Sequence, residues 1–529
     1  MTKKRIKKFL QNKERGQAIV LIAMAMVGVI AMVGLVTDTG ILFIEYGKLK
    51  RGVDAAAISA AQQYRLENAS DTTLNAASLE NAATNFLQLN DADVEPGSII
   101  VVSCESPEDE RPAKCNDDPI GDSVNNRKYV QVTASKTVDF GFLTLIGIES
   151  TTISVTSLGE AATIDLVLVI DTSASMAFET DTTFTDSGAP FRSDPGDDPH
   201  ACNPTNTCQP MKAVKDVALD FIDTLYFPYD RVAIVTMTGQ EDGTAVRTPE
   251  LLLDLSSDRT DVVNTISGIR VFDPQECDVS GLNEGVCRNY DSVTGSFLGL
   301  YCEIFEMAVY FGTTDFPDFR SCPSSNIGGV LNLAATALTD PGLTRLDSYW
   351  VVVALIGGPA NATDIDDPTD HPLGFCPWNT FLAWGDPDGD GVNGLAPFGP
   401  ACRDRSTATR HNVSDTIMWH YPTDGPNEGT QEISIYDADD YARDRADELA
   451  TLTTGEGITI YTIGLGTPIQ STATSDDGVP PAEDLLIYIA EEAGGPDINH
   501  GQYFFAPTSD SLSTIFEKIA NNIATRISE

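Results

Sequence analysis

Asp171, Ser173 and Ser175 stand at alternate positions directly after an apolar run, Leu166-Val167-Leu168-Val169-Ile170. One carboxylate and two hydroxyls in that spacing form an oxygen donor set, the kind a hard divalent cation takes. The apolar run has the pattern of a strand buried on both faces of a parallel sheet, ending where such ligands gather. A second oxygen-rich stretch is Asp386-Pro387-Asp388-Gly389-Asp390-Gly391-Val392-Asn393. Asp386, Asp388 and Asp390 alternate, Val392 takes the place of a main-chain ligand, and Gly391 holds the sixth place, where Ca²⁺ loops turn sharply. Pro397 occupies the twelfth place, where a bidentate Glu completes an EF-hand. The stretch reads either as a Ca²⁺ loop or as an acidic turn.

The elements that must position Asp171 follow from periodicity. From residue 164 onward, short apolar β-rich runs alternate with helical patterns: strands over 164–170, 232–237, 349–356, 458–464 and 502–505, an edge strand over 251–255, and helices over 211–225, 260–269, 327–338, 441–452, 485–493 and 512–527. That alternation predicts an α/β fold with a doubly wound, mainly parallel sheet. Ligands of such sheets sit at the carboxyl ends of the strands.

D-x-S-x-S after the first strand, in this order of elements, resembles the metal-ion-dependent adhesion site of von Willebrand factor type A (VWA) domains. The resemblance runs from about residue 163 to the last helix. It implies a Mg²⁺ or Mn²⁺ site on three loops, completed by an acidic group of the bound partner. Asp171, Ser173 and Ser175 match the first loop. Ser324-Ser325-Asn326-Ile327-Gly328-Gly329 matches the second, with Ser325 in the hydroxyl position. The third departs from the pattern: Ile356-Gly357-Gly358 stands where Thr-Asp-Gly is usual, so Gly357 replaces a carboxylate. Weakened metal affinity is expected, and Asp364, Asp366 or Asp367 could reach back from the following segment.

Charge narrows the partners. The chain has 33 Lys and Arg against 78 Asp and Glu, a net charge of −45. Residues 1–15 hold seven of the basic residues and one Glu, so the other residues carry −51. A surface this acidic repels phosphate backbones, which excludes nucleic acid as a partner, and attracts divalent cations. Ten cysteines, none in the expected sheet strands and none in a C-x-x-C pair, each have a near neighbour. Local pairs such as Cys104–Cys115, Cys202–Cys208 and Cys277–Cys287 are expected, and with them an oxidising, extracytoplasmic compartment.

At the N-terminus a basic arm, 1–15, precedes nineteen uncharged residues, Ala18–Val36. As a helix these span ~28 Å, enough to cross a hydrocarbon core. The positive-inside rule places the arm in the cytoplasm and the rest outside. The run exceeds a signal-peptide core and lacks a clean A-x-A site, so an uncleaved single-pass anchor is expected. Gly16-Gln17-Ala18, Val36-Thr37-Asp38-Thr39-Gly40, Glu45-Tyr46-Gly47-Lys48-Leu49-Lys50 and Val53-Asp54-Ala55-Ala56-Ala57-Ile58-Ser59-Ala60-Ala61 together resemble the N-terminal region of TadG-like proteins of the Tad (Flp) pilus-assembly system. Val138-Asp139-Phe140-Gly141-Phe142-Leu143-Thr144-Leu145-Ile146-Gly147 is similar to the apolar segment that closes this module. The expected organisation is a cytoplasmic arm (1–15), a transmembrane helix with an Ala-rich extension (16–62), a small α+β pilin-like stalk (63–162) and a VWA domain (163–529). Insertions near 177–210, 270–322 and 358–435 interrupt the last.

Five histidines sit in loop-like stretches, and no H-E-x-x-H, G-x-S-x-G, Walker or dinucleotide motif is present. Catalysis is not expected. The resemblances imply cation-dependent adhesion or protein–protein interaction at a pilus, with pilus-assembly proteins, surface proteins or an acidic extracellular ligand as partners. The alternative is a structural subunit whose VWA domain packs without metal.

Overall fold

The computed structural model describes residues 3–63, 72–90, 94–95, 97–116, 128–161, 163–177, 198–240, 249–273, 275–276, 286–290, 293–295, 297–302, 325–345, 348–360, 363–364, 410, 438–452, 458–470, 479–496 and 498–526. The chain divides into two compact units, Met1–Ala161 and Ala162–Glu529.

In the first unit the basic arm and the apolar run belong to one helix, α1 (Lys3–Gln62), followed by α2 (Thr72–Leu89). Ala18 opens a stretch of α1 long and apolar enough to cross a membrane, and its side chains there lie almost entirely on the outside of the unit. Beyond it, α1 packs on a three-stranded antiparallel sheet of order β1 (Ile100–Ser103), β2 (Lys128–Asp139), β3 (Ser150–Ala161). The buried positions of α1, among its described side chains, are Gly34, Asp38, Leu49, Gly52, Val53, Ala56, Ala57, Ser59, Ala60 and Ala61. Gly34–Asp38 and Leu49–Val53–Ala56–Ala60 step by three or four along one helix face, and Gly52, Ala57, Ser59 and Ala61 widen the buried side over the last turns. Gly159 of β3 lies against the backbone of that face, where a Cβ would come 2.2 Å from the Ala57 carbonyl oxygen. A disulfide joins Cys104 to Cys115 in the segment after β1.

The second unit is a mixed α/β structure around a six-stranded sheet. In chain order its elements are β4 (Ile164–Ile170), a single helical turn α3 (Pro199–Cys202), α4 (Met211–Ile222), β5 (Arg231–Thr236), β6 (Glu250–Ser256) and α5 (Arg259–Gly268). Next come β7 (Gln275–Glu276), β8 (Val286–Tyr290), β9 (Phe297–Cys302), α6 (Ile327–Thr339), β10 (Tyr349–Ile356), α7 (Ala438–Ala450), β11 (Ile458–Leu465), α8 (Pro481–Glu491), β12 (Tyr503–Ala506) and α9 (Leu512–Arg526). The sheet order is β12-β11-β10-β4-β5-β6, parallel except at the β6 edge. Alternate side chains of the central strands enter opposite cores. Leu166, Leu168, Ile170, Val351 and Val353 meet α4, α5 and α9 on one face. Val167, Val169, Val352 and Ala354 meet α6, α7 and α8 on the other. The continuous apolar runs thus have the origin periodicity implies, burial on both sides.

One sequence expectation needs correction. Residues 275–302 contain a separate small sheet, β7-β8-β9, and Cys287 and Cys302 fall on its strands rather than in loops. Strand propensity there (Val286, Tyr290, Phe297, Leu298) was masked by the interleaved Cys, Asn and Gly. The Cys202–Cys208 bond is present beside α3, whereas Cys277 lies outside the described residues.

Candidate metal centre

The chain leaves β4 toward β5 on one side of the sheet, and β10 lies on the other side of β4. The carboxyl ends of β4 and β10 therefore form the switch point of the sheet, the crevice where ligands of open α/β sheets bind. Asp171 sits there, fully buried, its N–H donating to the Leu355 carbonyl at 3.0 Å.

The Asp171 carboxylate is fixed from two strands. Its Oδ1 accepts from the Ser173 N–H at 2.8 Å, closing an Asx turn, and its Oδ2 accepts from the Gly357 N–H at 2.8 Å. Burial pushes this carboxyl up, against the lowering effect of the Ser173 and Gly357 hydrogen bonds. Ser173 Oγ and Ser175 Oγ lie 2.8 Å apart, Ser173 buried and Ser175 exposed at the start of a 3₁₀ turn, Ala174–Ala177.

Thr172, between the two ligand positions, faces the other way. Its Oγ1 meets Thr238 Oγ1 at 2.7 Å and accepts from the Thr238 N–H at 3.1 Å. Both threonines are completely buried, so the loop is tied to the chain leaving β5. Thr172 escaped the sequence reading, although strand alternation already turns its side chain away from Asp171 and Ser173.

The second loop approaches from the start of α6. Ser325 is buried, and a Cβ on Gly358 would lie 3.9 Å from its Oγ. A Cβ on Gly357 would lie 3.2 Å from Asp171 Oδ2 and 3.8 Å from Ser175 Oγ. The glycine pair after β10 thus lies between the first loop and Ser325, and position 357 aims at the Asp171 carboxylate. Asn326 caps α6, its Oδ1 accepting from Gly329 N–H at 2.8 Å. Its Nδ2 donates to Asp364 Oδ1 at 2.6 Å, and Tyr441 OH donates to Asp364 Oδ2 at 3.1 Å. Asp364 is therefore engaged with the second loop; Asp366 and Asp367 lie outside the described residues. Asn326 and Tyr441 were not legible as site supports, since their link runs through an Asp 38 residues from one and 77 from the other. Asn326→Ala removes the cap and this link together, and about 1–2 kcal/mol should be lost in urea denaturation.

One carboxylate and the hydroxyls of Ser173, Ser175 and Ser325 suit a small oxygen-seeking cation such as Mg²⁺ or Mn²⁺. Among the described residues, no three His, Cys, Asp or Glu side chains gather in a way that could hold a metal. Any ion at Asp171 would therefore depend on hydroxyl, water and partner oxygens. The Asp386–Asn393 stretch lies outside the described residues.

No protein-family model matches the chain, and no curated protein matches it. Among solved structures, the chain is similar to a mutant of the PilB minor pilin from Streptococcus sanguinis (12% identity, TM-score 0.33, covering 82% of this chain and 80% of that one). It is also similar to the pilus adhesin SpaC from Lactobacillus rhamnosus GG (12% identity, TM-score 0.30), matching 76% of this chain and 33% of that one. A third is the SpRpn10 VWA domain, at 9% identity and TM-score 0.28, over 67% of this chain and 94% of that one.

Proposed function

We propose that residues 163–529 form a VWA-type binding domain and that the whole chain is a TadG-like, pilus-associated surface protein. In this reading α1 anchors it in the membrane with the C-terminal unit outside. The observation that carries the reading is the buried Asp171 at the switch point, with Ser173 and Ser175 beside it. The Cys104–Cys115 and Cys202–Cys208 disulfides support an extracytoplasmic position. Asp171, Ser173, Ser175 and Ser325 would hold Mg²⁺ or Mn²⁺, which supplies an open coordination place for an acidic group of a protein or surface ligand. The chain's part is to orient these oxygens and leave one side open; it is a binder, not a catalyst. Ca²⁺ at Asp386, Asp388, Asp390 and Val392 would stabilise the insertion after β10.

Adhesion of cells displaying the full chain tests this reading. Attachment should collapse in EDTA, return with Mg²⁺ or Mn²⁺ in the wild type, and stay absent in Asp171→Ala. The ion must displace the proton that burial favours on Asp171. Apparent ion affinity should therefore fall as pH drops, approaching about tenfold per pH unit below that carboxyl's raised value. Calorimetry carried from neutral pH downward reads this fall, and an affinity that does not weaken as the pH drops contradicts it.

Gly357 favours a second reading. With no carboxylate in the third loop, and both Asp171 oxygens already bonded to backbone N–H groups, the loop can hold its shape without an ion. The unit would then be a metal-independent scaffold of the pilus apparatus, and adhesion or assembly would be indifferent to EDTA.

A further inference from the structure

The β2–β3 hairpin of the first unit descends along α1 toward the apolar stretch. Gly159 packs on Ala57, Ser157 Oγ donates to Asp54 Oδ1 at 2.7 Å, and Lys136 Nζ pairs with Glu45 Oε2 at 2.6 Å. Further down, Asp38 accepts from the N–H groups of Gly141 (3.0 Å), Phe142 (2.9 Å) and Leu143 (2.6 Å). Lowest of all, the Phe142 side chain covers Gly34, where a Cβ would come 2.7 Å from Phe142 Cβ. From Ala57 to Gly34 the descent is ~35 Å of helix. Gly34 lies within the uncharged run Ala18–Val36, so the hairpin tip reaches past Thr39, Asp38 and Thr37 to the level of that run.

The tip is apolar and uncovered. Residues 141–148 form a loop below the Phe140–Glu149 backbone pair, built on a 3₁₀ turn, Leu143–Ile146, that Gly147 closes at φ 89°. Leu145 is 80% exposed and Ile146 72%, with Phe142 and Ile148 nearly half exposed. Asp38 holds this shape by satisfying the N–H groups that the turn leaves unpaired, and it is itself fully buried. A short loop that spends a buried carboxylate on presenting Leu145 and Ile146 to the outside is built to bury them in something. The exposed face of α1 at the same level, Ile30, Val33 and Val36, is apolar too.

We infer that the 141–148 tip is a membrane wedge: Phe142, Leu145, Ile146 and Ile148 insert into the outer leaflet beside α1. Helix and hairpin then enter the bilayer as a pair, and the stalk stands on two points rather than one. That fixes its tilt and its rotation about the helix axis. The inference rests on the reading of α1 as a membrane span.

Tryptophan depth measurement tests it on the full chain in phosphatidylcholine nanodiscs carrying doxyl-labelled lipid. Native tryptophans begin at Trp350, and wild-type emission is subtracted. Leu145→Trp alters an exposed side chain and leaves the fold intact. Its added emission should be mostly lost to shallow doxyl lipid, as in Val33→Trp within the span. Thr156→Trp, next to the Ser157–Asp54 contact and ~27 Å of helix beyond Val36, should keep its emission. Quenching of Val33→Trp without quenching of Leu145→Trp overturns the wedge and leaves the anchor standing, the tip then being covered by protein. If neither is quenched, the span reading fails and takes the wedge with it.

Discussion

Asp165→Ala should destabilise the second unit by about 3–5 kcal/mol, the largest loss expected for any single truncation away from the candidate site. Asp165 is completely buried at the start of β4, opposite the end that carries Asp171. Arg231 grips it with Nε at 2.9 Å and Nη2 at 2.8 Å, Arg345 binds both of its oxygens, and Ser348 Oγ donates at 2.6 Å. The arginines also donate to the main-chain carbonyls of Leu343 and Tyr229, and Trp350 Nε1 reaches Ser348 Oγ at 3.0 Å. Removing the carboxylate leaves two guanidinium groups buried without their counter-charge, a far larger penalty than the net worth of the pairs. Burial alone would raise the Asp165 carboxyl, but the hydrogen bond from Arg231 and the charges of Arg345 and Arg231 hold it below the usual range. A lowered folded value means the contribution is present above the unfolded value near pH ~4. It is lost as pH falls through the folded one. Urea denaturation at pH 7 and pH 3 should show a wide gap between wild type and Asp165→Ala at the higher pH and a narrower one at the lower.

Gly357→Asp should raise Mg²⁺ or Mn²⁺ affinity by about 10–100-fold. The new Cβ would stand 3.2 Å from Asp171 Oδ2 and 3.4 Å from Met176 Sδ, tight but against side chains that can give by a few tenths of an ångström. Its carboxylate would face Asp171 across the Ser175 hydroxyl. Two carboxylates this close repel in the absence of an ion and share one when it is present. The variant should therefore melt lower than wild type in EDTA and recover in Mg²⁺. A melting temperature blind to Mg²⁺ in both proteins would count against any ion at this position.

Much of the second unit is legible in its residues because burial on both faces writes β10, and β4 after Asp165, as apolar runs. The first loop is legible for a related reason: Asp171, Ser173 and Ser175 follow one another in the chain. What periodicity could not show is contact between distant segments. Asp165 and Arg345 are 180 residues apart, and a charge inside an apolar strand gives no sign of its partner. Asp38 reads as the polar end of the membrane run, yet it is buried and caps a turn more than 100 residues later. The small sheet β7-β8-β9 was hidden because Cys, Asn and Gly break its alternation. Within the site, Thr172 and Asn326 act through hydrogen bonds that only the folded loops bring into reach.

In the proposed function Asp171 organises a divalent-cation site despite Gly357. Calorimetric titration of Mg²⁺, Mn²⁺ and Ca²⁺ into the disulfide-intact second unit tests it most directly, with Asp171→Ala and Asp388→Ala as controls. Mg²⁺ or Mn²⁺ binding that disappears in Asp171→Ala and persists in Asp388→Ala is the predicted result. Heat from Ca²⁺ alone, lost only in Asp388→Ala, would contradict it and leave the Asp171 loop a metal-free structural turn.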